Sequence, residues 1–145
     1  MTPAPVTISP RETLTEAHRA MRRAGIRHLP VMEGKKLVGL VTQSDLRLME
    51  TLRDVDPDEV TVREAMSRTP YISTPAAPLH KVCREMSQRR IGSTVVVAHG
   101  QPVGVFTTTD ALRVLALLTS PRRRVRPLKA APFSQAPQKR RANSR

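Results

Sequence analysis

Asp45 and Asp110 each follow a threonine by three residues, in Thr42-Gln43-Ser44-Asp45 and Thr107-Thr108-Thr109-Asp110. Each stands where a β-type run ends and an apolar helical pattern begins. A carboxylate in that position can accept both hydroxyls of a ribose, a pairing it makes well. Neighbouring hydroxyls and the free N–H groups of a helix start can take phosphate oxygens. The alternative is structural, because aspartate is also a favoured helix cap.

The elements that must position these residues occur twice. Gly39-Leu40-Val41-Thr42-Gln43-Ser44-Asp45 is answered 65 residues later by Gly104-Val105-Phe106-Thr107-Thr108-Thr109-Asp110. The same shift carries Pro10 to Pro75, Leu14 to Leu79, Met21 to Met86, Ile26 to Ile91, Val31 to Val96 and Val38 to Val103. Ile8 and Ile72 lie one residue closer, which places a single insertion near the start of the second copy. Such a period marks a duplicated supersecondary unit. A copy of about 60 residues is marginal alone, so the two are expected to pack on each other.

Within the first copy, Pro5 to Ser9 reads as a short extended entry. Leu14, Ala17, Ala20, Met21 and Ala24 then recur at three- and four-residue spacing, with charged residues between them. Thr13 with Glu16 predicts a capping box, and Gly25 the stop. Ile26 to Met32 and Leu37 to Thr42 read as strands joined by a hairpin-length turn. A helix capped by Ser44 or Asp45 should follow. The acidic connector from Asp54 to Glu59 and a helical turn over Val62 to Met66 lead to a second copy on the same plan. That copy ends in a helix from Thr109 to about Leu118, so apolar that it should be buried on more than one side. Its burial suggests a subunit interface.

The formal charge of +13 is unevenly spread. Nine Lys/Arg and no acidic residue lie from Arg122 onward, leaving the body near +4. That tail has too few apolar groups to offset its ordering entropy and is expected to be disordered. Attraction to a nucleic acid, another polyanion or an acidic partner would be driven by charge, with only Phe133 available for stacking. The lone Cys83 excludes an internal disulfide and a cysteine-rich zinc site. No apolar run reaches membrane-spanning length, and the N-terminus has no signal-peptide pattern, so a cytoplasmic location is expected. His18, His28, His80 and His99 are scattered, and no nucleophile–base set, metal cluster or Gly-rich phosphate loop is visible, so neither catalytic nor metal-binding residues are assigned.

Ile26-Arg27-His28-Leu29-Pro30-Val31 with Leu37 to Asp45, and their echo from Ile91 to Asp110, resemble a tandem pair of cystathionine-β-synthase (CBS) domains, a Bateman module. The resemblance covers about residues 5 to 118. It implies an α/β fold of two βαββα repeats packed about a pseudo-twofold axis, divided as repeat 1–54, linker and short helix 55–66, repeat 67–119 and basic tail 120–145. It implies two related clefts for an adenosine-containing ligand (AMP, ADP, ATP or S-adenosylmethionine), with no required cofactor. By position, Asp45 and Asp110 would hold ribose, and Thr42, Ser44, Thr107 and Thr109 would offer hydroxyls. Ile26, Arg27 and His28, with Ile91, Gly92 and Ser93, would line the clefts, and Val6, Thr7 and Ile8, with Tyr71 and Ile72, would flank adenine. The resemblance also implies a homodimer that regulates a partner protein. The competing expectation is a ligand-free dimeric scaffold whose tail recruits nucleic acid or an acidic partner.

Overall fold

The computed structural model describes residues 2, 3 and 5–121. The basic tail lies outside the described residues, and so does any contact it makes. In chain order the elements are β1 (Thr2–Pro3), α1 (Leu14–Ala24), β2 (His28–Glu33), β3 (Lys36–Thr42), α2 (Gln43–Glu50), α3 (Val62–Ala65), β4 (Ile72–Ser73), α4 (Leu79–Arg89), β5 (Ser93–Ala98), β6 (Gln101–Thr107) and α5 (Thr108–Thr119).

Helix α1 forms where the sequence places it. Its Thr13–Glu16 capping box is closed in both directions, and Gly25 ends it in the left-handed region at φ 63°. Leu14, Ala17 and Met21 point inward from one face. In the second repeat Arg90 occupies the position of Gly25 and adopts the same conformation, φ 55°. The chain therefore makes the same turn into both following strands, the second time with a side chain present.

The strands form antiparallel hairpins, β2 with β3 and β5 with β6, in matching registers: His28 opposes Thr42 and Ser93 opposes Thr107. Each hairpin has an irregularity at an equivalent place, between Val31 and Met32 and between Val96 and Val97. The leading strands differ. β4 runs parallel to β5, whereas the first repeat makes only a single parallel bridge, Ile8 to Val31. β1 crosses over and pairs antiparallel with β6, so the start of the chain extends the second repeat's sheet to the order β1-β6-β5-β4. No sequence pattern announced that crossover, since a two-residue strand containing proline carries almost no periodicity.

Each repeat has its own apolar core. Leu14, Met21, Leu29, Val31, Val41 and Leu46 form the first, while Val82, Met86, Val96 and Phe106 form the second, with Cys83 packed at its edge. The short α3 belongs to the first core: Val62 and Met66 are buried in it, and the Leu14 N–H donates to the Val60 carbonyl at 3.1 Å. The two repeats meet along β3 and β6, and at the hairpin tips the Gln101 side-chain amide donates to the Lys35 carbonyl at 2.9 Å.

One expectation is corrected, and the single chain by itself leaves another unmet. Neither Ser44 nor Asp45 is the N-cap of α2; the cap is Thr42, as Thr107 is for α5, because each helix begins directly after its strand, at Gln43 and Thr108, with no intervening turn. And α5 buries none of its residues fully: Ala111 packs on the second core, while Leu112, Leu115, Leu117 and Leu118 are exposed. A terminal helix resting on a small sheet covers only one stripe of its surface.

Gly39 sits at a close backbone approach. A Cβ there would stand 2.7 Å from both Met66 Sδ and the Ser67 carbonyl, which accepts from Leu40 N–H at 3.0 Å. Gly39→Ala should therefore lower unfolding stability by about 1–3 kcal/mol, measured by urea denaturation, because backbone has to move. An unchanged midpoint would show that this approach relaxes freely.

Candidate functional site

Both Thr-x-x-Asp segments are built alike. The Thr42 N–H and hydroxyl donate to Asp45 Oδ2 at 2.8 and 2.7 Å, and the Asp45 N–H returns a bond to Thr42 Oγ1 at 3.2 Å. Thr107 and Asp110 repeat this at 2.9, 2.9 and 3.3 Å. The capping box satisfies helix-end donors and holds the carboxylate at the strand–helix junction. Asp45 Oδ1 has no hydrogen-bond partner among the described residues. Asp110 Oδ1 is 3.5 Å from an Arg113 guanidinium nitrogen.

The start of each first hairpin strand is tied to the neighbouring helix start. The Gln43 N–H donates to the Arg27 carbonyl, and the Thr108 N–H to the Gly92 carbonyl, both at 2.9 Å. These bonds fix residues 26–28 and 91–93 beside the capping boxes of their own repeats.

The clefts, however, are crosswise. One, of about 360 Å³, places Thr107, Thr109, Asp110 and Arg113 of the second repeat against Gly25, Ile26, Arg27 and His28 of the first, with Pro5 and Val6. The other, of about 260 Å³, places Thr42 and Asp45 of the first repeat against Ile91, Gly92 and Ser93 of the second, with Ser67, Thr69, Tyr71 and Arg89. Each cleft thus needs both repeats.

Of the residues singled out from sequence, Thr42, Asp45, Ile91, Gly92 and Ser93 share the smaller cleft, and Ile26, Arg27, His28, Thr107, Thr109 and Asp110 share the larger. Val6 and Tyr71 line one cleft each. Ile8 lies in the first core at 4% exposure, Ile72 is on the surface, and Ser44 is exposed and lines neither cleft. Sequence reasoning passed over Arg113 and Arg89. Arg113 was detectable, since it is three residues beyond Asp110 and so on the same helix face. Arg89 reads as an ordinary basic helix end and reveals itself only when α4 is seen to finish at a cleft.

Among the described residues, two titrating groups are displaced. Burial pushes the His28 imidazole below its ordinary value of 6.5; Asp45 and Asp110 pull it back up and Arg27 pushes it down, so the ring feels the carboxylates of both clefts. Burial raises Asp110, but charge-stabilising contacts, the Thr107 N–H and hydroxyl foremost, outweigh it and leave the carboxyl below its usual range.

Two repeats with paired, cross-built clefts define a tandem two-cleft module. The CBS domain family pattern matches residues 1–49 and 62–117, and the chain belongs to that family. It is 32% identical over 106 residues to an inosine-5'-monophosphate dehydrogenase of Korarchaeum cryptofilum; the match covers 72% of this chain and only 21% of that enzyme. Among solved structures it resembles a putative acetoin utilization protein (AcuB) from Vibrio cholerae, 31% identical with a TM-score of 0.70, covering 81% of this chain and 87% of that one. It also resembles the CBS domain pair of protein MJ0100, solved with 5'-methylthioadenosine and S-adenosyl-L-methionine, at 25% identity and a TM-score of 0.74, covering 81% and 93%.

Because the folded ring of His28 releases its proton more readily than the unfolded chain does, its contribution to stability is complete above pH 6.5 and shrinks as pH falls through that value. The melting temperature should drop between pH 7.5 and 5.5, and His28→Gln should flatten that part of the profile. An identical slope in the variant would mean that another group titrates.

Proposed function

We propose that this chain is a regulatory module that binds an adenosine-containing ligand in the clefts between its repeats and passes occupancy to a partner protein. The observation that carries this reading is the crosswise build. Each Thr-x-x-Asp segment faces the strand start of the other repeat, so a ligand held there touches both repeats at once.

The chemistry suits a nucleoside. Asp45 or Asp110 accepts the ribose hydroxyls, Thr42 or Thr107 and Thr109 supply further polar contacts, and Ile26 with Val6, or Ile91 with Tyr71, offers apolar surface to a purine. The ligands in the MJ0100 structure, 5'-methylthioadenosine and S-adenosyl-L-methionine, are of that class. Catalysis has no part in this reading. A bridging ligand favours one arrangement of repeats or subunits, and shifts that equilibrium only by its differential affinity for the two states.

The signal leaves through the helices that follow the aspartates. α5 exposes Leu112, Leu115, Leu117 and Leu118, and α2, its counterpart in the first repeat, exposes Leu48. A second copy of this chain is the occupant we assign to this surface, since a self-complementary pairing would cover the four exposed leucines of α5 together with Leu48 of α2.

Two measurements test these proposals. At 100 times its dissociation constant, AMP, ADP, ATP or S-adenosylmethionine should stabilise the full chain by about 2.7 kcal/mol in thermal unfolding, and combined Asp45→Ala and Asp110→Ala should abolish the shift. No shift with any of the four would favour a ligand-free scaffold. In sedimentation, the wild type should run as a dimer and Leu112→Glu/Leu115→Glu as a monomer; a monomeric wild type would remove the second copy from the account.

A further inference from the structure

The two clefts are alike at their aspartates and unlike in charge. At the 65-residue spacing, Arg27 corresponds to Gly92, His28 to Ser93 and Arg113 to Leu48. Arg27, His28 and Arg113 all line the larger cleft, whereas Gly92 and Ser93 bring no charge to the smaller one, and Leu48 does not line it. The Arg27 side chain is exposed and makes no ion pair among the described residues.

The smaller cleft does contain an arginine, Arg89, but that group is already engaged. Its Nε is hydrogen-bonded to Glu85 Oε1 at 2.5 Å, and its guanidinium lies 5.0 Å from the centre of the Tyr71 ring. Its counterpart across the pseudo-twofold is Ala24, which lines the larger cleft. The larger cleft therefore brings two guanidinium groups, Arg27 without an ion pair among the described residues and Arg113 paired with Asp110, and the smaller has a single guanidinium, Arg89, paired with Glu85.

We propose that the Asp110 cleft is selective for phosphate-bearing nucleosides, with Arg27 and Arg113 meeting the phosphate, and that the Asp45 cleft gains nothing from phosphate and takes the nucleoside portion alone. This rests on the adenosine-binding reading above. An unpaired guanidinium offers two parallel donors that match phosphate oxygens, and such charge-assisted bonds are stronger than neutral ones. The Arg89 guanidinium keeps free N–H groups, but the Glu85 carboxylate at its Nε already offsets its charge, which lessens its pull on a phosphate. Arg113 already contacts Asp110, so it can lie between the ribose-binding carboxylate and the phosphate without adding a new unpaired charge.

The test compares adenosine, AMP and ADP by titration calorimetry on the full chain. Asp45→Ala isolates the larger cleft and Asp110→Ala the smaller. Gly92→Leu, which meets nothing nearer than Thr108 Oγ1 at 3.8 Å at its Cβ, blocks the smaller cleft without touching a capping box. With the smaller cleft disabled by either route, AMP should bind at least about tenfold more tightly than adenosine, and ADP more tightly still. That gain should weaken with salt and disappear in Arg27→Gln/Arg113→Gln while adenosine binding persists. With the larger cleft disabled, adenosine and AMP should bind within about threefold of each other, and adding Gly92→Arg should create a preference for AMP. Equal phosphate gain in both clefts, or a gain that survives Arg27→Gln/Arg113→Gln, would overturn the assignment while leaving nucleoside binding standing. Failure of the wild type to bind any of the three would overturn both.

Discussion

The reciprocal bond between a threonine at the end of a strand and an aspartate one turn into the following helix governs this molecule. It satisfies helix-end donors, fixes the angle at which the helix leaves the sheet and holds a carboxylate at the junction. Under the proposed function, Asp45 and Asp110 would serve folding and recognition with the same carboxylate. One oxygen of Asp45 is committed to Thr42 and the other has no hydrogen-bond partner among the described residues. The cap and ligand roles suggested by the sequence do not exclude each other, because the capping box holds the carboxylate at the edge of a cleft.

The duplication turns that local device into a two-body one. Had each aspartate faced its own repeat's strand start, a ligand would stabilise one half and leave the other untouched. The repeats pack so that residues 26–28 complete the site of the second repeat and residues 91–93 that of the first. A ligand bound in either cleft, as proposed, would touch both repeats, and its differential affinity would bias their relative arrangement. Arg27 and Gly92 keep the same backbone bond to the helix start while their side chains differ completely. His28 feels the carboxylates of both clefts.

Most of the fold was legible because the repeat supplied two independent readings of each element. The α1 capping box, both hairpins and the apolar faces of α1 and α4 follow from short-range spacing, which sequence displays directly. What escaped is long-range. Nothing local reveals that β1 pairs with β6, that α3 buries Val62 in the first core, or that each cleft takes its two sides from different repeats. Ile8 and Ile72 show the limit of transferring positions: both lie beside the strand starts, yet one is turned into the core and the other onto the surface. The apolar run of α5 was read as burial, whereas the chain alone covers only one stripe of it.

The central claim is that one ligand touches both repeats, and amide chemical shifts of the full chain during titration with AMP test it most directly. The account predicts linked movement of the Asp110 and Thr107 signals from one repeat and the Gly25 and Arg27 signals from the other, saturating at a common concentration. Shifts confined to a single repeat, or gathered on α5 and absent from both clefts, would contradict it.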